Sequence, residues 1–254
     1  MSRYAVLYHC HPINNGLQNL SYFLRHGFQK DADYYISCVD FEPPANAANI
    51  TFISVENDSH DYGGFARLVL EHVPIHQYEF FGFFNSSCLG PFTNADKTGN
   101  WLSRFSSKLT EEVGLCGSTI NCFSSHSPYF GFLESYLDSE ETHYHVQTYA
   151  YMLTKNVLNL LLSKNFYKYP RNWTKRETIV NYEIGLSKTL INAGLNISCL
   201  VPEYEHVDFR SRTPVTRALE LVGDPCFLNA INGRTLEPNE VLFVKPSRGF
   251  VPEI

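Results

Sequence analysis

The sequence predicts an α/β protein on a Rossmann-type, mostly parallel central sheet flanked by helices, with a more irregular C-terminal half. Three observations predict it. Apolar runs of strand length alternate with segments of helical period through the first half. Residues 78–84 are almost wholly apolar, as expected of a central strand covered on both faces. The 254 residues are 44% hydrophobic and only 18% charged, which is enough to build a buried core.

Each element has its own signal. Residues 4–8 form the first strand. Asn14 or Asn15 then opens a helix with Leu17, Leu20 and Leu24 at helical spacing, and Gly27 stops it. Residues 34–39 and 50–55 are further strands, and 63–71 a helix. After the apolar strand 78–84, residues 101–109 are helical, and 113–123 contain another strand. In the second half, 146–153 are strand-like and 155–163 a short helix. Residues 175–193 form the longest helix: Thr174 and Glu177 make a capping box at its start, and Gly194 closes it. Residues 196–201 are a late strand. A polar, proline-containing tail follows and ends in the strand-like run 241–244, then Lys245-Pro-Ser-Arg248. The chain reads as one domain, with a first half (1–125) and a second half with the tail (126–254).

Composition excludes several classes. With 20 Lys+Arg against 26 Asp+Glu the net charge is −6, which argues against binding nucleic acid by phosphate neutralisation. No apolar run is long enough to span a bilayer, and the start is too short and too interrupted for a signal peptide. The seven cysteines are scattered and never form CxxC, so reduced, buried thiols in a cytoplasmic protein are expected. Peripheral membrane association and the oligomeric state stay open.

In a doubly wound sheet, ligands sit at the carboxyl ends of the strands, which selects the segments after each strand. The most informative residue lies elsewhere. With Ile179 at 0° on a regular helix, Leu186 falls near about −20°, Leu190 near about 20° and Glu183 near about 40°. Glu183 therefore lies inside the apolar arc, where a carboxylate is either paired with a buried partner or lines a pocket. Asn85-Ser86-Ser87, followed by Gly90-Pro91, offers short polar groups after the most apolar strand; a capped turn is the plainer reading. Asn57-Asp58-Ser-His60-Asp61-Tyr-Gly63-Gly64 places two carboxylates and a glycine pair between strand and helix, suited to ligand approach or to an ordinary N-cap. In an extended segment His143, His145 and Gln147 share one face, near Glu140 and Glu141. Without further ligands, a histidine in a sugar or phosphate pocket is favoured there over zinc. Lys245 and Arg248 are a cation pair on the tail that either clamps a diphosphate or is simply solvated. No Walker A, Gly-x-Gly-x-x-Gly or Gly-x-Ser-x-Gly pattern occurs.

Taken together, Asn57-Asp58…Asp61-Tyr-Gly-Gly64, Phe84-Asn-Ser-Ser-Cys-Leu-Gly-Pro91, Val113-Gly-Leu-Cys-Gly-Ser-Thr-Ile-Asn121, His145-Val-Gln-Thr148, Tyr182-Glu-Ile-Gly-Leu-Ser187 and Glu240-Val-Leu-Phe-Val-Lys-Pro-Ser-Arg248 resemble the rhamnan-synthesis protein F group of surface-polysaccharide glycosyltransferases. The resemblance implies a GT-A-like fold and transfer of a sugar from a nucleotide diphosphate-sugar donor to a glycan acceptor hydroxyl. It implies a nucleotide-sugar-binding half (1–125) and an acceptor-binding half (126–254). Tyr8 and His9 would lie near the nucleotide, and Asn57, Asp58 and Gly64 near base, ribose or sugar. Asn85, Ser86 and Ser87 would take the place of the Asp-x-Asp that holds a metal and the diphosphate. Glu183 would be the base or sugar-orienting carboxylate. His145 and Gln147 would line the sugar pocket with Thr119 and Asn121 beside them, and Lys245 and Arg248 would meet the diphosphate. Asn-Ser-Ser has no carboxylate for Mn²⁺ or Mg²⁺. Either a metal binds weakly with help from Asp58 or His145, or the two cations act without metal; the second is favoured. A non-catalytic nucleotide- or sugar-binding module and, behind it, a nucleotidyltransferase are the alternatives.

Overall fold

The computed structural model describes residues 3–93, 99–122 and 144–249. Its centre is a seven-stranded sheet. In chain order the first strands and helices are β1 (Tyr4–Cys10), α1 (Gly16–His26), β2 (Ala32–Cys38), β3 (Ile50–Ser54), α2 (Asp61–Arg67), β4 (Phe80–Asn85), α3 (Leu102–Ser106) and β5 (Val113–Gly117). A small antiparallel ribbon of β6 (Ile120–Cys122) and β7 (Tyr144–Val146) follows, then β8 (Ala150–Thr154) and α4 (Lys155–Ser163). The long helical stretch consists of α5 (Lys175–Thr178), a π-helical segment Ile179–Ile184 and α6 (Gly185–Ile191), and β9 (Asn196–Cys199) completes the sheet. The tail carries two short helices, α7 (Pro214–Leu219) and α8 (Pro238–Val241).

Strand order is β3-β2-β1-β4-β8-β5-β9. Every pairing is parallel except those of β8, which is antiparallel to both β4 and β5. The α/β class and the mostly parallel, helix-flanked sheet expected from the sequence are thus present. Strand β8 comes from the second half of the chain and lies between two strands of the first, so both halves share one sheet.

Alternation along β1 shows how the two layers are filled. Ala5 and Leu7 face Tyr62, Phe65 and Phe83 on one side, while Tyr4, Val6, Tyr8 and Cys10 face Phe23, Tyr34 and Phe84 on the other. All seven cysteines are free thiols; six are buried and Cys226 is partly so.

Three local expectations change. Residues 146–153 do not form one strand: Gln147 N–H closes the β6–β7 ribbon on Thr119 C=O, and the chain then crosses through Thr148 and Tyr149 to β8, which pairs with β4 and β5 instead. The run 241–244 forms the end of α8 and a single bridge, Val244 to Leu89, because Leu242 turns the backbone at φ 64°. The long helix is not uniform. Its capping box at Thr174 and Glu177 is present, but its second turn widens to i→i+5 hydrogen bonding. The wide turn gives the core seat to Tyr182, whose hydroxyl lies 2.8 Å from that of Tyr151 on β8. Ile179, expected on the inward stripe, is only partly buried.

One tether links the two halves on the site side. The Asp58 carboxylate accepts Ser59 Oγ–H at 2.9 Å, Arg171 N–H at 3.0 Å and Asn172 N–H at 2.6 Å. Asp58→Ala removes the acceptor for two loop N–H groups at once. It is expected to destabilise the protein by about 1–3 kcal/mol, with Asp58→Asn intermediate because one acceptor oxygen survives. Urea unfolding of the two variants checks this order.

Candidate functional site

The sheet changes direction between β1 and β4: β2 and β3 extend to one side of β1, and the rest of the sheet to the other. In open α/β sheets the loops leaving two such strands part, and the crevice at their carboxyl ends is where ligands sit. The crossing is tied together. Ser86 Oγ accepts His11 N–H at 3.0 Å and lies 3.1 Å from His11 C=O, Ser86 N–H donates to His9 C=O, and Asn19 Nδ2–H donates to Ser86 C=O at 2.9 Å. Above it, His11 Nε2 lies 3.3 Å from Asp40 Oδ2 and 3.4 Å from Asn57 Nδ2.

Asn85, the last residue of β4, aims its side chain at the first residue of α2. Its Nδ2–H donates to Asp61 Oδ2 at 2.8 Å, while its Oδ1 accepts both the N–H and the hydroxyl of Ser87. The turn that delivers Asp61 is unusual. Ser59 and His60 both have positive φ (57° and 58°), a conformation that side chains rarely adopt. Burial pushes the Asp61 carboxyl up to about 6, with the charge of Glu183 adding to the rise and Asn85 and Lys245 opposing it.

Glu183 enters from the π-helical segment, with its side chain 22% exposed. Its Oε1 lies 3.6 Å from Nε2 of His145 on β7, which is buried. Burial raises the Glu183 carboxyl, but the contact with His145 and the charges of His145, Lys245 and Arg248 outweigh this and hold it below the usual value. The two carboxylates are therefore tuned apart: Glu183 is held ionised, and Asp61 is poised near neutrality.

The tail supplies the cations. Leu89 and Val244 exchange backbone hydrogen bonds, and Phe92 N–H donates to Leu242 C=O, so the tail is fastened beside the 85–87 loop. Lys245 Nζ lies 5.6 Å from the centre of the Tyr149 ring. Arg248 Nε lies 3.1 Å from Asp224 Oδ2, and its guanidinium covers the Phe227 ring at 5.0 Å. Asp224 Oδ2 also takes Gln147 Nε2–H at 3.3 Å, and Gln147 Oε1 takes the Thr119 hydroxyl at 2.6 Å. Arg248 is thus joined to the β5 end of the sheet through Asp224, Gln147 and Thr119.

Among the residues singled out in the sequence, Asn85, Glu183, His145, Lys245 and Arg248 come together at this crevice. Asn57 lies on its outer rim, exposed. Ser86 and Ser87 shape its floor through their own hydrogen bonds. Asn121 is paired opposite His145 in the small ribbon. Thr119 and Gln147 are buried and bonded to each other. Asp58 is engaged by the 171–172 backbone, as above. Tyr8 packs in the opposite layer against Phe23, with ring centres 4.6 Å apart. His9 is buried with Nδ1 3.0 Å from Ser37 Oγ, and burial, then His11 and His60, lower its pKa to about 3, so it is neutral. Gly64 makes room for it: a Cβ there would lie 2.1 Å from His9 Nδ1. His143, Glu140 and Glu141 lie outside the described residues. Two residues that sequence reasoning left without a role are prominent: Asp61, visible only as the second acid of its motif, and Asp224, for which no local signal exists.

The 85–87 loop does not fit a divalent cation. Its side-chain oxygens are neutral and already hydrogen-bonded. Among the described residues no group of three or more His, Cys, Asp or Glu side chains converges as a metal cage.

No protein-family profile matches the chain, and no curated protein matches its sequence. Among solved structures, the galactosyltransferase LgtC, in complex with donor and acceptor sugar analogues, is similar over 95% of this chain and 86% of that one. The identity is 11% and the TM-score 0.44. No helix among the described residues is long and apolar enough to cross a membrane.

The raised Asp61 carboxyl has a consequence for stability. A carboxyl whose folded pKa is about 6 lies above its unfolded value, so ionising it opposes folding at neutral pH. That opposition fades as pH falls through 6 towards 4. Asp61→Asn, which keeps an acceptor for Asn85, is expected to stabilise the fold at pH 7.5 by on the order of 1–3 kcal/mol, with the gain gone near pH 4. Thermal melts across this range test it.

Proposed function

We propose that the chain is a glycosyltransferase that moves a sugar from a nucleotide diphosphate-sugar to a hydroxyl of a glycan acceptor. The observation that carries this reading is the grouping of Glu183–His145 with Lys245 and Arg248 at the switch-point crevice. Glycosyl transfer needs one group to hold sugar hydroxyls, another to meet the charge that develops on the leaving diphosphate, and a geometry that aligns the two reacting centres. An ionised carboxylate against a buried histidine is suited to the first task, since sugar hydroxyls donate to the one and exchange hydrogen bonds with the other. Two cations on a docked tail are suited to the second. The crevice between the β1 and β4 loops, with His11 and Asn57 at its rim, takes the nucleotide in this reading.

The motif resemblance to surface-polysaccharide glycosyltransferases supports a growing glycan as acceptor. The same reading places Asn85-Ser86-Ser87 under the diphosphate as hydrogen-bonding groups, with the charge neutralised by Lys245 and Arg248 instead of a metal.

Nucleotide diphosphate-sugars should raise the melting temperature by an amount that grows with the logarithm of ligand concentration over Kd, and EDTA should leave the shift intact. Lys245→Ala is expected to weaken nucleotide diphosphate binding by about tenfold, or about 1.4 kcal/mol. A screen in which no nucleotide-sugar shifts the melt would sink the reading. A shift that needs Mn²⁺ would remove its metal-free part, and donor binding with no turnover on any acceptor would favour a non-catalytic binding module.

A further inference from the structure

We propose that Asp61 takes the proton of the acceptor hydroxyl, and that Asn85 and Glu183 are the groups that set it up to do so; this rests on the glycosyl-transfer reading above. Asp61 stands at the start of α2, at the mouth of the β3–α2 turn, with its carboxylate partly buried. Asn85 reaches it across the switch point and fixes Oδ2 at 2.8 Å. A carboxylate has about four lone-pair sites, so this bond and the one from its own backbone N–H leave it able to accept a proton. The turn that presents it, with Ser59 and His60 at positive φ, is the kind of constrained backbone that clusters where a side chain must be aimed.

The other carboxylate is a poorer acceptor. Glu183 faces His145, Lys245 and Arg248, all of which favour its ionised form. The charged and titratable groups acting on Asp61 are Glu183 and Tyr182 from the π-helical segment and Lys245 from the tail; its preceding residue, His60, is exposed. Glu183 repels a negative charge on Asp61 and so strengthens it as a base, while Asn85 and Lys245 keep it ionised at neutral pH.

The step balances as a single displacement. The acceptor O–H bond breaks and its proton passes to the Asp61 carboxylate. The acceptor oxygen bonds to the anomeric carbon as the bond from that carbon to the diphosphate oxygen breaks. The electron pair leaves on the nucleotide diphosphate, beside Lys245 and Arg248, and the product carries the inverted configuration.

The test is the pH profile of kcat on the full chain with a donor that binds. Asp61→Asn is expected to lower kcat by about 10²–10⁴-fold with donor affinity retained, and Asp61→Glu to restore part of it. The acid limb should move in opposite senses in two further variants. Asn85→Ala, which removes a bond to the charged form, should shift it to higher pH, and Glu183→Gln, which removes a repelling charge, to lower pH. A residue that only supports the fold predicts no such opposed shifts. An Asp61→Asn enzyme within about threefold of the parent, limbs that stay put in both variants, or a product of retained configuration would each overturn the assignment of Asp61. Loss of the glycosyl-transfer reading looks different: the unaltered protein would bind no nucleotide-sugar, or would bind one and turn it over on no acceptor.

Discussion

The site depends on one balance of charge. Asp61 and Glu183 bring two carboxylates into a crevice that also holds a buried histidine, His145, and two tail cations, Lys245 and Arg248. Like charges at close range raise each other's pKa, and opposite charges lower it. His145 and the cations act mainly on Glu183, which stays ionised. For Asp61, burial outweighs the Asn85 amide, Lys245 and its own backbone N–H, and its carboxyl moves up. Two acids of nearly equal intrinsic strength thereby acquire different properties from their surroundings alone, which is how acid and base duties are commonly divided within one fold.

Much of this fold was legible in the sequence because its signals are local. The apolar run through Phe81, Phe83 and Phe84, the capping box at Thr174 and Glu177, and the stop at Gly27 each depend on residues within one turn or strand of each other. Glu183 was legible as an anomaly, a charge within an apolar arc. What could not be read was its partner, because the His145 contact joins β7 to a helical turn and no local pattern encodes it. The antiparallel insertion of β8 was hidden for the same reason: strand direction is decided by which neighbours the chain returns to. Tyr8 and His9 show the finer limit. Adjacent strand residues face opposite layers, so a motif that names both can place only one of them on a given side of the sheet.

The π-helical segment explains how a charge can occupy that arc within reach of the groups that offset its burial. A regular helix would carry Ile179 inward, with Glu183 one turn further along the same stripe. Widening the turn hands the inward position to Tyr182, which hydrogen-bonds to Tyr151 and packs edge-on to Tyr62 with ring centres 5.3 Å apart. Glu183 moves to the border between core and crevice. Insertions of this type are rare and frequently mark functional sites. Here the tyrosine contact offsets the irregular hydrogen bonding and also sets the height at which the carboxylate meets His145.

The site draws on segments far apart in the chain. Its carboxylates and polar groups come from α2, β4, β7 and the π-helical segment, but both of its cations lie beyond residue 244. The tail is held by the Leu89–Val244 bridge, by the bond from Phe92 to Leu242, and by the Arg104 guanidinium, which donates to Glu240 C=O at 2.6 Å. Without the docked tail, Asp61 and Glu183 would lose the cations that favour their charged forms, and both carboxyls would move towards their neutral forms. With it docked, the crevice gains positive charge where an anion must sit. Because both cations arrive on one short segment, attraction to the carboxylates helps to hold the tail in place, and the tail in turn keeps Glu183 charged. Tail docking and the protonation state of the site are therefore linked by the same interactions, each favouring the other.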